Sequence, residues 1–255
     1  MKDSGIHRDT TAFRESLKKL GLTVSSDQEN QFIRYYEMLL EWNKKINLTA
    51  ITDFDQVMMK HFTDSAAFSL AFPELDNISG ESASGPVSLI DVGTGAGFPG
   101  IPIKILYPEI QVVLLDSLGK RVQFLKEVIR ELGLKDIKAF HGRAEDFGRT
   151  SDFREHFDFA VSRAVANLSV LSEYCIPFIR TGGCFVAYKS GNLSEETGQC
   201  QNALQLLNSH IERNITFRLE YGSESADRTL IIIRKDRNIP SKYPRKAGIP
   251  GKRPL

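Results

Sequence analysis

Residues 88–100, SLIDVGTGAGFPG, carry the pattern in this chain most able to do chemistry. Leu89, Ile90 and Val92 flank Asp91 in an apolar run, and glycines follow at every second position: Gly93, Gly95 and Gly97. Glycine permits φ > 0 and leaves no Cβ between the backbone and a ligand. The apolar run predicts a buried parallel strand. Residues 98–107 predict a helix with Pro99 tolerated in its first turn. A strand, a glycine turn and a helix N-terminus together make a nucleotide-type crevice. The expected chemistry is capture of a nucleoside-containing cofactor by Asp91, the three glycines and Phe98.

The stretch Gly95 to Gly100 also fits G-x-G-x-x-G, a weak signal when it stands alone. Asp91, two positions before Gly93, suits a ligand with a positive amino group better than a pyrophosphate. The alternation G-x-G-x-G resembles the first motif of Rossmann-like methyltransferases that use S-adenosylmethionine (AdoMet). A second strand, 111–115, ends in Asp116, about 20 residues past the glycines, where a carboxylate can accept from both ribose hydroxyls. Ser117 and Leu118 follow it. A dinucleotide enzyme and a glycine turn that binds nothing are the alternatives at this point.

In an open α/β sheet the ligand lies beyond the carboxyl ends of the strands, so those positions nominate the other candidates. After a strand at 137–141 comes His141-Gly142-Arg143-Ala144-Glu145-Asp146. An acid here could accept from an adenine amine, and Ala144 is small enough for a ring to lie against it; a helix N-cap is the plainer use of Glu145 or Asp146. After a strand at 157–162 comes Arg163-Ala164-Val165-Ala166-Asn167, without the two prolines and aromatic of an exocyclic-amine methyltransferase. Cys175 continues a helical stripe with Leu168, Leu171 and Phe178 and reads as core, which removes a pyrimidine-type nucleophile. Arg163 remains, always charged and presenting planar donors. It could hold a cofactor carboxylate or orient a purine edge, or form a salt bridge to Glu145 or Asp116. A strand at 183–189 ends in Lys189, which is either solvated or paired with an RNA phosphate. Arg163 and Lys189 are the candidate catalytic residues. Lys120 and Arg121 open a helix where cations face the unfavourable end of the macrodipole, so they are expected to face a phosphate backbone.

These residues need a scaffold of alternating strands and helices, which runs from Val87 onward and predicts a mostly parallel sheet. Two last strands, near 213–221 and 228–235, are joined by Gly222-Ser223-Glu224-Ser225 and predict a hairpin with an antiparallel edge strand. The helix after the second strand carries Val122, Leu125, Ile129 and Leu132 and stops at Gly133. Four parts are expected: a helical extension (1–73), a Ser- and Gly-rich linker (74–86), a cofactor-binding domain (87–236) and a basic tail (237–255). Within the extension, Ser26 to Glu29 reads as a capping box. Phe32, Tyr35, Leu39, Trp42 and Ile46 form one helical face. Asp53 to Gln56 reads as a second box, opening a helix with Val57, His61 and Ser65 on one face.

Composition narrows the classes. No apolar run approaches the roughly 18 residues of a membrane span, and the first ten residues lack the apolar core of a signal peptide. Cys175, Cys184 and Cys200 make an odd set without C-x-x-C spacing, so neither a disulfide frame nor a metal site is expected. The expected location is the cytoplasm. The net charge is +1, yet from Arg234 to Leu255 eight Lys or Arg stand against one acid, a local +7 that leaves −6 for the rest. Such asymmetry suggests an arm for a polyanion, or else a solvated tail.

Taken together, the chain resembles the glucose-inhibited division protein B family, bacterial small-subunit rRNA guanine-N7 methyltransferases. The resemblance runs through INLTAI (46–51), KHFTDS (60–65), DVGTGAGFPGIPIKI (91–105), LLDSLGKRVQFL (114–125), HGRAED (141–146), SRAVANL (162–168), YKSG (188–191) and YPRKAGIPGKRPL (243–255). It implies a Rossmann-like class I methyltransferase fold with a seven-stranded sheet behind an N-terminal helical extension. It implies AdoMet as cofactor, at Gly93, Phe98, Asp116 to Leu118, Ala144, Glu145 and Arg163. It implies as partner 16S rRNA or the small ribosomal subunit, with no obligate protein partner. The insert at 74–86 departs from shorter family members but precedes the first strand. Asn47, His61 and Asp64 fall in matching segments without an assigned role; a polar helix-packing network accounts for them equally well. Guanine N7 carries a lone pair and no proton, so its methylation needs no general base and rests on alignment. Arg163 is then expected to act through O6, a phosphate or the cofactor carboxylate. A methyltransferase for another RNA or a small molecule, and an AdoMet-binding RNA module without turnover, are the competing readings.

Overall fold

The computed structural model describes residues 8–77, 81–82, 85–163, 166–191, 193–222 and 224–255. Part of the 74–86 linker, Ala164, Val165 and Ser223 of the hairpin turn lie outside the described residues.

Seven strands form one sheet: β1 (Ser88–Val92), β2 (Gln111–Asp116), β3 (Ile137–His141), β4 (Phe157–Ser162), β5 (Ile179–Ser190), β6 (Ser209–Tyr221) and β7 (Glu224–Lys235). Their spatial order is β3-β2-β1-β4-β5-β7-β6. The first five are mutually parallel; β7 runs antiparallel to both β5 and β6. The hairpin therefore forms the sheet edge, with the reversed strand tucked one place inside it. This is the seven-stranded Rossmann-like arrangement that the resemblance implies. The order changes direction at β1, so the crevice opens beyond the ends of β1 and β4, where open α/β sheets bind ligands.

Both faces of the sheet are covered, which is why β1 reads as a continuous apolar run rather than an alternation. On one face Leu89, Leu114, Val186 and Ile232 pack with α1 (Thr11–Lys19), α2 (Ser26–Asn43), α3 (Gly100–Leu106) and α4 (Gly119–Glu131). The N-terminal helices thus share one core with the sheet: Phe13, Phe32, Tyr35 and Phe62 lie in the same cluster as Ile101 and Phe124. On the other face Ile90, Phe185 and Ile231 pack against α5 (Leu168–Cys175), the 194–206 helices, and Ile239 and Tyr243 of the C-terminal segment.

Several boundaries differ from the sequence reading. The cap of α2 is Ser25, whose hydroxyl accepts from the Gln28 amide while the Gln28 side chain accepts from the Ser25 amide. The box is one residue earlier than Ser26 to Glu29, because Gln serves at its third position as well as Glu does. Asp53 caps Gln56 as expected, but the helix it opens passes into a π-helical turn, Met58–Thr63. That wider turn is a common device at functional sites, and it holds His61 and, at its end, Asp64. The helix after the glycine turn begins at Gly100, with Pro99 as its cap rather than inside it.

The C-terminal segment is no free arm. Of the eight cations from Arg234 onward, three are neutralised internally: Arg234 and Lys235, at the end of β7, pair with Glu212 and Glu155, and Arg245 pairs with Glu173. Counting charge along the sequence misses this, because each partner lies far upstream. Arg237, Lys242, Lys246, Lys252 and Arg253 are exposed.

Candidate active site

The glycine turn is built by local constraints. Gly93, Gly95 and Gly97 have φ of +73°, +63° and +100°, where L side chains are strained. A Cβ on Gly97 would stand 2.5 Å from the Tyr35 hydroxyl oxygen, and that hydroxyl donates to the Ala96 carbonyl. The helical extension therefore clamps the turn from above. The amides of Gly93 and Thr94 donate to the Leu115 carbonyl at 2.8 and 3.2 Å, tying the turn to β2.

Asp91 is wholly buried under this turn. Its Oδ2 accepts from the Thr94 hydroxyl at 2.6 Å and the Gly100 amide at 2.8 Å. Burial pushes the carboxyl up to about 7 despite those two bonds. Its Oδ1 is buried without a hydrogen-bond partner. Asp91 braces the turn from inside and does not line the cavity beside it.

That cavity holds about 260 Å³ and is lined by Gly93, Asp116, Ser117, Ala144, Glu145 and Tyr174, among others. Asp116 is buried at the end of β2, accepting from the Gly95 and Leu118 amides at 2.9 Å each, with Arg121 at 3.7 Å. Ser117 is exposed and lines the cavity, its carbonyl 3.1 Å from a ring nitrogen of His141, whereas the exposed Leu118 is outside the lining. Glu145, also buried, accepts from the Gly248 amide at 2.8 Å. Five of the eleven residues proposed for cofactor binding thus meet at one cavity (Gly93, Asp116, Ser117, Ala144 and Glu145).

Arg163 and Lys189 line a second cavity of about 310 Å³, with Lys60, His61, Asp64 and Arg228. The two cavities flank the end of β4: Ser162 lines the first and Arg163 the second. Arg163 pairs with neither Glu145 nor Asp116. It donates to Asp64 at 2.9 Å and to the Lys60 and His61 carbonyls at 3.3 Å each, and its guanidinium carbon lies 4.8 Å from the Phe98 ring centroid. Phe98 is buried and stacks on His61 at 4.6 Å. Arg228 stands 3.3 Å from the other Asp64 oxygen, so one carboxylate holds two guanidinium groups side by side. Lys189 donates to the Ala166 carbonyl at 2.9 Å and to Glu196 at 2.5 Å, so its charge is already matched.

His61 is unfit to move a proton. Burial, then the neighbouring Arg163, lowers its pKa to about 3. Arg163 donates toward Nδ1 at 3.3 Å, which leaves the ring proton on Nε2, 2.8 Å from the Thr49 hydroxyl. Burial likewise pushes the Cys175 thiol up, so it is a core residue and not a nucleophile. Asn47 is exposed. Among the described residues, no group of three His, Cys, Asp or Glu is placed to hold a metal ion, and no helix is long and apolar enough to cross a membrane. Arg228 and the positions of His61 and Asp64 escaped the sequence reading; the apolar run Leu230 to Ile233 identifies β7 but not which of its polar side chains faces the cavity.

A family model described as rRNA small subunit methyltransferase G (GidB) matches residues 28–221. The chain belongs to the GidB family. It is 46% identical over 248 residues to the ribosomal RNA small subunit methyltransferase G of Lachnoclostridium phytofermentans, covering 97% of this chain and 98% of that protein. The Clostridium tetani protein of the same name is 48% identical over 236 residues, covering 92% and 94%. A Pyrococcus horikoshii crystal structure described as an RNA methyltransferase superposes with a TM-score of 0.52 at 12% identity, over 80% of this chain and 99% of that one. At that identity the likeness is one of fold alone. The GidB model stops at residue 221, before β7 and the C-terminal segment.

Proposed function

We propose that this rRNA methyltransferase transfers a methyl group from S-adenosylmethionine to N7 of a guanine in the 16S rRNA of the small ribosomal subunit. The observation that carries this reading is the pair of cavities at the end of β4, one nucleoside-sized and acid-lined, the other cation-lined. The first fits the cofactor's parts. Asp116 accepts ribose hydroxyls, Ala144 leaves room for the ring, and Glu145 accepts from the adenine amine. When bound, the cofactor supplies a methyl group activated by its sulfonium.

The residues around the second cavity then have three tasks. Arg163 and Arg228 offer planar donors to acceptors on the base or its phosphate. Asp64 holds both in place. His61 walls the cavity, with the buried Phe98 ring stacked against it, and offers no proton acceptor. No general base is required, because N7 attacks with an in-plane lone pair and has no proton to lose; rate comes from holding nucleophile, methyl and sulfur in line. Lys189 supports the site by tying the end of β5 to Ala166.

The test is transfer of tritiated methyl from AdoMet to small-subunit rRNA isolated in an undermethylated state, followed by aniline cleavage. Label on one guanine with aniline-sensitive cleavage there supports the reading. Label on another base or another atom overturns the N7 assignment, and rRNA left unlabelled overturns the substrate.

A further inference from the structure

We propose that the C-terminal segment, 237–255, is part of the cofactor site, and that Arg245 is a positioning residue for Glu145. This rests on the AdoMet reading above. Glu145 lines the nucleoside-sized cavity, and its Oε1 is taken by the Gly248 amide at 2.8 Å. One carboxylate oxygen is thereby committed to the tail, and the second is left for a ligand.

The position of Gly248 is set three residues earlier. The Arg245 amide donates to Glu173 Oε1 at 2.7 Å, and its guanidinium donates to Oε1 at 2.9 Å and Oε2 at 2.6 Å. Glu173 is wholly buried. A carboxylate is kept that deep only when it is paired and its lone pairs are filled, and Arg245 does both by a two-pronged clasp. The next residue, Tyr174, lines the same cavity, and a Cβ on Gly251 would stand 3.7 Å from its hydroxyl oxygen. Upstream, Arg154 donates to the Ile239 and Tyr243 carbonyls at 3.2 and 2.7 Å, and both of those side chains are buried. A solvated arm for a polyanion has no use for such anchors. They make a strap whose far end fixes the acid facing the cofactor's base.

The exocyclic amine of adenine donates to a correctly aimed carboxylate; the carbonyl of hypoxanthine in the same place is repelled by it. Preference for adenine over hypoxanthine therefore reads the orientation of Glu145, whereas a merely loosened fold weakens both ligands alike. The experiment uses the full chain and calorimetry with S-adenosylhomocysteine and S-inosylhomocysteine. The wild type is expected to prefer the adenine ligand by about tenfold or more. In Arg245→Ala the adenine ligand is expected to weaken about tenfold while the inosine ligand changes less than twofold, so the preference collapses. Arg245→Lys, which keeps the charge but not the clasp, should shift the preference the same way by less. Equal weakening of both ligands, an unchanged preference in both variants, or no preference in the wild type overturns the proposal. A wild type that binds neither ligand overturns the AdoMet reading instead.

Discussion

Arg163 donates to Asp64 at 2.9 Å across 99 residues of sequence, joining the π-turn of the helical extension to the end of β4. Asp64 is almost fully buried and also faces Arg228 at 3.3 Å. Removing it leaves two partly buried guanidinium groups uncompensated. Asp64→Ala is expected to cost about 3 kcal/mol in urea unfolding. The triple variant Asp64→Leu with Arg163→Met and Arg228→Met should recover most of that stability, because apolar side chains of similar volume can replace a buried ionic cluster. It should not recover methyl transfer. Recovery of both would reduce the cluster to scaffolding.

The glycine turn gives a second expectation. Gly93 and Gly95 have open space where a Cβ would go, so alanine at either pays only for positive φ, about 1–2 kcal/mol. Gly97→Ala adds to that strain an overlap with the Tyr35 oxygen and Ile101. Thermal unfolding should rank Gly97→Ala as the most damaging of the three. Tyr35→Phe in the Gly97→Ala background should return part of the loss by removing the overlapping atom. If the three alanines prove equal, the clamp by Tyr35 is not what constrains the turn.

The pH dependence has a definite sign. His61 has a folded pKa lowered from 6.5 to about 3. Between those values the unfolded chain binds a proton there that the folded chain refuses. Stability is therefore fully present above about pH 6.5 and declines as pH falls toward about 3, by at most about 1.4 kcal/mol per unit. Asp91 works oppositely, since its carboxyl is raised from 3.8 to about 7 and its contribution is lost as pH rises through that range. Comparing wild type with His61→Gln by urea unfolding from pH 7 to pH 4 isolates the histidine, and the variant should show the flatter acid limb. Identical slopes would mean that the His61 ring is protonated in the folded protein.

What could be read in the sequence was what neighbouring residues decide. The positive φ of the glycines at 93, 95 and 97 and the cap at Asp53 are local properties of the chain, and the structure has both. The Arg163–Asp64–Arg228 arrangement depends on three distant segments meeting, and no local pattern encodes it. The C-terminal cations illustrate the same limit. Their count suggested a polyanion arm, but the carboxylate that claims Arg245 lies 72 residues earlier. Lys189 looked unpaired for a similar reason: Glu196 reaches it only because the chain turns back after β5.

Lys120 and Arg121 open α4 together, yet the structure divides them. Lys120 is exposed, whereas Arg121 stands 3.7 Å from Asp116, the acid at the cavity proposed for the cofactor. Lys120→Glu is expected to weaken rRNA binding and lower the slope of log affinity against log salt, by about 0.7 to 0.9 for each phosphate no longer neutralised. Cofactor affinity should stay as it was. Arg121→Glu brings a carboxylate toward Asp116 and should weaken the cofactor as well, by several fold. Filter binding across a salt series and calorimetry with the cofactor separate the two effects. An Arg121→Glu protein with unaltered cofactor affinity would show that Asp116 is oriented by the Gly95 and Leu118 amides alone.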